Sequence, residues 1–191
     1  MKVLVVDDSA FMRKIISSMI DSDPQLTVVG TAFDGVNALK KISKLEPDVI
    51  TLDVNMPRMD GLATLKELMK TNPMPVVMLS ATTQEGAETT FKALRLGAVE
   101  YIAKPSGDIS LDIGKVRDEL VEKIKTAAQA RIVTHEDATY SPVQIKHEIK
   151  EKVIAIGAST GGPPALEEIL VNLPKKYAAD TDCAAHACWF H

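Results

Sequence analysis

Residues 2–22 read KVLVVDDSAFMRKIISSMIDS, and this stretch decides the architecture. A short run of Val and Leu closes on two aspartates, and a helical pattern of apolar residues then starts behind Ser9. The same strand-then-helix unit recurs. TVVGTAF (27–33) leads into DGVNALKKISKL (34–45), and DVITLDV (48–54) leads, after a short loop, into DGLATLKELMK (60–70). PVVMLSA (75–81) precedes QEGAETTFKALRLG (84–97), and VEYIAKP (99–105) precedes SLDIGKVRDELVEKIKTAAQA (110–130).

The strand runs are rich in Val, Ile and Leu rather than alternating, the pattern of strands buried on both faces. Five such units predict an α/β fold: a five-stranded, doubly wound parallel sheet with helices on both sides. The punctuation agrees. Ser9, Asp34 and Asp60 stand where helix N-caps belong, and Gly97 stands where the fourth helix should stop. From about Arg131 to Glu151 the pattern weakens into a polar stretch, and a new strand begins at Lys152. The expected division is a first domain over 1–125, a linker over 126–151 and an incomplete α/β segment over 152–191.

Composition narrows the functional classes. A net charge of −4 and a pI near 5.6 speak against a nucleic-acid partner, and no basic helix-turn-helix pattern follows residue 125. No apolar run approaches the ~20 residues that cross a bilayer, and the N-terminus turns acidic where a signal peptide would stay apolar. The expectation is a cytoplasmic protein with no membrane insertion. Its two cysteines, Cys183 and Cys188, both fall in the tail, so disulfides are not expected to hold the fold.

In a parallel sheet, ligands bind at the carboxyl ends of the strands. Asp7 and Asp8 close the first run, Asp53 the third and Ser80 the fourth, and Lys104 follows the fifth. Three carboxylates brought together would repel one another unless a hard cation sat among them, and oxygen ligands suit Mg²⁺. A nucleophilic Asp, a divalent ion, a lysine and a hydroxyl together fit phosphoryl transfer to a carboxylate.

The segments VLVVDDSAFMR, TLDVNMPRMDGL, LSA and IAKP resemble response-regulator receiver domains, whose fold is flavodoxin-like. The resemblance covers about residues 1 to 125. It implies that Asp53 accepts phosphate from a histidine kinase, and that Asp8, Asp53 and the Asn55 carbonyl hold Mg²⁺ with Asp7 assisting. It also implies that Ser80 and Lys104 contact the phosphoryl group, and that Tyr101 is the aromatic switch.

After the linker, KVIAIGASTGGPPALEEIL places a strand, a Gly-rich turn and a helix in succession, with Ser159 at the turn. The free amides of Thr160 to Gly162 could stabilise an oxyanion there, whereas the G-x-G-x-x-G spacing of a dinucleotide site is absent. A receiver, a linker and IGASTGGPPAL resemble the CheB family of chemotaxis methylesterases. That resemblance implies Ser159 as nucleophile of a Ser-His-Asp triad acting on methyl-accepting chemoreceptors, under control of a chemotaxis-type histidine kinase. An alternative is a stand-alone receiver that acts by phosphorylation-dependent protein binding.

From about 178 the chain departs from that family, reading AADTDCAAHACWFH where the family has a strand leading to a QHMP motif. Codons permitted for Cys183–His191, shifted by one base, encode VQHMPAGF. We therefore expect a frameshift near Ala178 or Ala179, which sequencing of the gene's end decides. With neither the His nor the Asp of the triad matched, esterase activity is not expected. Cys183, His186, Cys188 and His191 are spaced too tightly for a typical zinc site.

Overall fold

The computed structural model of the chain describes residues 1–80, 86–104, 113–130, 132, 166 and 169, with the backbone alone for 86–88 and 113. Most of the expected linker (131 and 133–151), Ser159 and the tail lie outside the described residues.

Strands and helices alternate as β1 (Lys2–Val6), α1 (Ala10–Asp21), β2 (Thr27–Ala32), α2 (Gly35–Leu45), β3 (Val49–Asp53), α3 (Gly61–Thr71), β4 (Val76–Ser80), α4 (Gly86–Arg95), β5 (Glu100–Ala103) and α5 (Ile113–Ala128). The strands form one parallel sheet in the order β2-β1-β3-β4-β5, the expected doubly wound arrangement. The order reverses direction between β1 and β3, which places a crevice beyond their carboxyl ends.

Two apolar layers hold the sheet. On one face Leu4, Val6, Ile50, Leu52, Val76 and Met78 meet Ala38 and Ile42 of α2, Leu65 and Leu68 of α3 and Ala93 of α4. On the other face Val3, Val5, Val49, Val77, Leu79 and Ile102 meet Ile16, Met19 and Ile20 of α1 and Leu120, Ile124 and Ala127 of α5. A fully buried Leu or Ile contributes about 1.5–3 kcal/mol, so these layers supply the main driving force. Ala127 is fully enclosed, so α5 packs as part of this body through its last turn.

The three central strands are buried on both faces as expected. The outer two differ: β2 is half-exposed over most of its length and β5 over half of it, because each lacks a neighbour on one side. The caps fall where the residue types predict. Ser9 accepts from Met12 N, Asp34 from Asn37 N and Asp60 from Ala63 N, satisfying otherwise orphan amides. Gly97 turns the chain after α4 at φ +104, a conformation glycine adopts without a Cβ penalty.

Candidate functional site

Because β1 and β3 are adjacent, the residues at their ends meet across the crevice. Asp7 follows β1 and is fully buried, Asp53 ends β3 and is 1% exposed, and Asp8 stands exposed at the mouth. Carboxylate oxygens of all three lie within 4.8 Å of one another. Lys104, one residue past β5, reaches back over β4 into the crevice. Its Nζ lies 2.8 Å from Oδ2 of Asp7 and 2.8 Å from Oδ2 of Asp53.

The backbone sets this geometry. Asp7 N donates to Ala32 O, Val54 N to Leu79 O and Lys104 N to Ser80 O at 2.7 Å, locking the strand ends side by side. Each buried carboxylate uses one oxygen to shape its own turn: Asp7 Oδ1 accepts from Ser9 N at 2.9 Å, and Asp53 Oδ1 from Asn55 N at 3.2 Å. The other oxygen of each faces the crevice. There it has no aligned hydrogen-bond donor and meets the Lys104 ammonium as an ion pair.

Burial pushes the Asp53 carboxyl above the ordinary carboxylate range, with the Asp7 charge adding to the push and Lys104 and the Asn55 amide opposing it. Burial draws the Lys104 ammonium the other way. Pairing with Asp53 and Asp7 outweighs it, and the lysine pKa stands above its usual value. Among the described residues, one ammonium against three carboxylates leaves the crevice net anionic. The enclosed oxygens and all-oxygen donor set fit a hard divalent cation such as Mg²⁺.

Asn55 lies exposed two residues past Asp53. Ser80 ends β4, 7% exposed, and pairs in register with Ala103. Tyr101, paired with Met78, is half-buried against the α2–α4 layer, and its phenolic oxygen is enclosed without a hydrogen-bond partner. Strand alternation puts Ser80 on that same face. The structure thus brings together Asp7, Asp8, Asp53 and Lys104, with Asn55 two residues past β3 and Ser80 at the end of neighbouring β4, on the same edge of the sheet.

Sequence reasoning passed over two supports. Arg13 Nη1 donates to the carbonyls of Asp7 at 2.7 Å and Asp8 at 3.0 Å, fixing the turn that carries both. Its position one turn into α1 was the available signal. Gly61, the first residue of α3, donates its N–H to Val54 O at 2.8 Å and packs directly on the backbone of Asp53.

The chain matches the response regulator receiver domain over residues 3–112. It is 55% identical over 181 residues to a protein-glutamate methylesterase/protein-glutamine glutaminase of Halalkalibacterium halodurans, covering 93% of this chain and 52% of that protein. The chain spans about half the length of the curated relatives it matches. Among solved structures, the response regulator domain of Thermotoga maritima CheB is 50% identical, with 69% of this chain and 98% of that one covered and a TM-score of 0.63. A chain of the CheX–CheY–BeF3–Mg²⁺ complex from Borrelia burgdorferi is 30% identical, with 65% and 87% covered and a TM-score of 0.56. Fold, acidic crevice and relatives agree: the chain belongs to the response regulator receiver family, in its CheB branch.

Proposed function

We propose that Asp53 takes a phosphoryl group from a histidine kinase of the chemotaxis type, and that its phosphorylation controls hydrolysis of glutamate methyl esters and deamidation of glutamines on chemoreceptors. The observation that carries this reading is the single ammonium of Lys104 held 2.8 Å from both Asp7 and Asp53 in a buried, anionic crevice. The esterase and glutaminase half is carried over from the methylesterase/glutaminase relative, with Ser159 as its nucleophile by resemblance. Because the His and Asp of the triad are unmatched, this chain by itself is not expected to hydrolyse the ester.

A carboxylate oxygen of Asp53 attacks phosphorus, and the P–N bond of the phosphohistidine breaks with its electron pair returning to the imidazole. Lys104 is poised to meet the phosphoryl oxygens as Asp53 gives up its own charge to the new acyl phosphate. Ser80 offers a hydroxyl from the neighbouring strand end. Mg²⁺, held by Asp7, Asp8, Asp53 and the Asn55 carbonyl, would neutralise charge on the transferring group. Tyr101, with its hydroxyl enclosed and unpaired, then shifts with Ser80 and alters the α4–β5–α5 face.

Intact-mass analysis with Mg²⁺ and acetyl phosphate tests the chemistry. One added phosphoryl group is expected on the wild-type chain and none on Asp53→Asn; equal incorporation in both overturns the assignment.

A further inference from the structure

The two oxygens of the fully buried Asp34 have separate partners. Oδ1 caps α2 by accepting from Asn37 N at 2.7 Å, while Oδ2, enclosed and without an aligned hydrogen-bond donor, is met by the Arg58 guanidinium. Capping alone needs no cation. Arg58 comes from another loop, the one between β3 and α3, and holds φ at +66, a left-handed conformation costly for a residue with a side chain. Its guanidinium also lies 5.0 Å from the centre of the Phe33 ring.

Strained backbone persists where its surroundings over-determine it, and it gathers at functional sites. This loop carries Asn55, three residues before Arg58. Asn55 is exposed, and its amide is tied to Asp53 Oδ1 at 3.2 Å. The loop is closed at its base by Gly61 N donating to Val54 O. Its far side is fastened to the β2–α2 turn twice, by Gly35 N donating to Met59 O at 3.3 Å and by Arg58 on Asp34.

We propose that Arg58 is a positioning residue for the divalent-ion site: its ion pair with buried Asp34 sets the path of the 54–60 loop and so the place of the Asn55 carbonyl. The inference rests on the cation-site reading given under Proposed function.

The test is Mg²⁺ titration calorimetry on the full chain, with thermal melts alongside, for Arg58→Gly, Arg58→Lys, Asp34→Asn and the Arg58→Gly/Asp34→Asn pair. Glycine relieves the left-handed backbone, and asparagine keeps the α2 cap while removing the charge, so neither is expected to unfold the protein. Because Asp34→Asn leaves the loop's own residues intact, it separates loss of the ion pair from loosening by glycine. Each single change should weaken Mg²⁺ binding about tenfold, the pair should be no worse than either single, and lysine should recover part of the loss. Wild-type binding with unchanged affinity in Arg58→Gly and Asp34→Asn, or with losses that simply add, overturns the role of the clamp. A wild-type chain that binds no Mg²⁺ sinks the cation-site reading and this inference with it.

Discussion

No side chain can be placed on Gly61 without displacing the backbone carbonyl of Asp53. The first residue of α3 sits against the last residue of β3, so the helix start and the reactive carboxylate are set together. Gly61→Ala should therefore cost about 1–3 kcal/mol, the range for overpacking a tight site, and should also slow phosphorylation. Urea denaturation and acetyl phosphate labelling measure the two effects. A variant with wild-type stability and labelling would contradict this packing.

Asp53 should oppose folding at neutral pH. A carboxyl whose pKa is raised by burial takes up a proton more readily in the native state than in the unfolded chain. Its contribution is most favourable below the ordinary carboxyl pKa and is lost as pH rises through the raised value. Asp53→Asn should accordingly raise the melting temperature at pH 7 by a few degrees, the size of about 1 kcal/mol. The gain should shrink as pH falls through the raised value and vanish below about 4, and a gain independent of pH would argue against burial of the charge as its cause.

Divalent binding should stabilise the fold, since the cation relieves repulsion among carboxylates already in place. At about 100 times its Kd, Mg²⁺ should add about 2.7 kcal/mol, and chelation should remove it. Asp8 is exposed, so Asp8→Asn, which removes one of the three repelling charges, should raise the metal-free stability by no more than about 0.5 kcal/mol while reducing the Mg²⁺ response. An undiminished response would take Asp8 out of the donor set.

Gly97 offers a control remote from the chemistry. Its φ of +104 and its packing against Met69 make Gly97→Ala costly by about 1 kcal/mol. Phosphorylation at 25 °C should be unchanged, because the residue touches none of the groups at the strand ends.

Much of this arrangement was legible in the chain. Residues closing consecutive parallel strands must share one edge, so Asp7, Asp53 and Lys104 could be placed together without coordinates, and Ser9, Asp34 and Asp60 declared their caps by type and position. Legibility failed where the determinant was tertiary. Edge exposure of β2 and β5 depends on strand order, which Val- and Ile-rich runs do not encode. Glu46 ends α2 in the left-handed region where a glycine would have signalled it. The Arg58–Asp34 pair joins two loops far apart in sequence, and local spacing holds no trace of it.

The most direct test of the central claim is to phosphorylate the full chain with Mg²⁺ and acetyl phosphate, reduce it with borohydride and map the modified residue by peptide mass spectrometry. Reduction converts an aspartyl phosphate to homoserine, and the account predicts homoserine at position 53 alone. Homoserine at another aspartate, or none in a chain that carries phosphate, would contradict it.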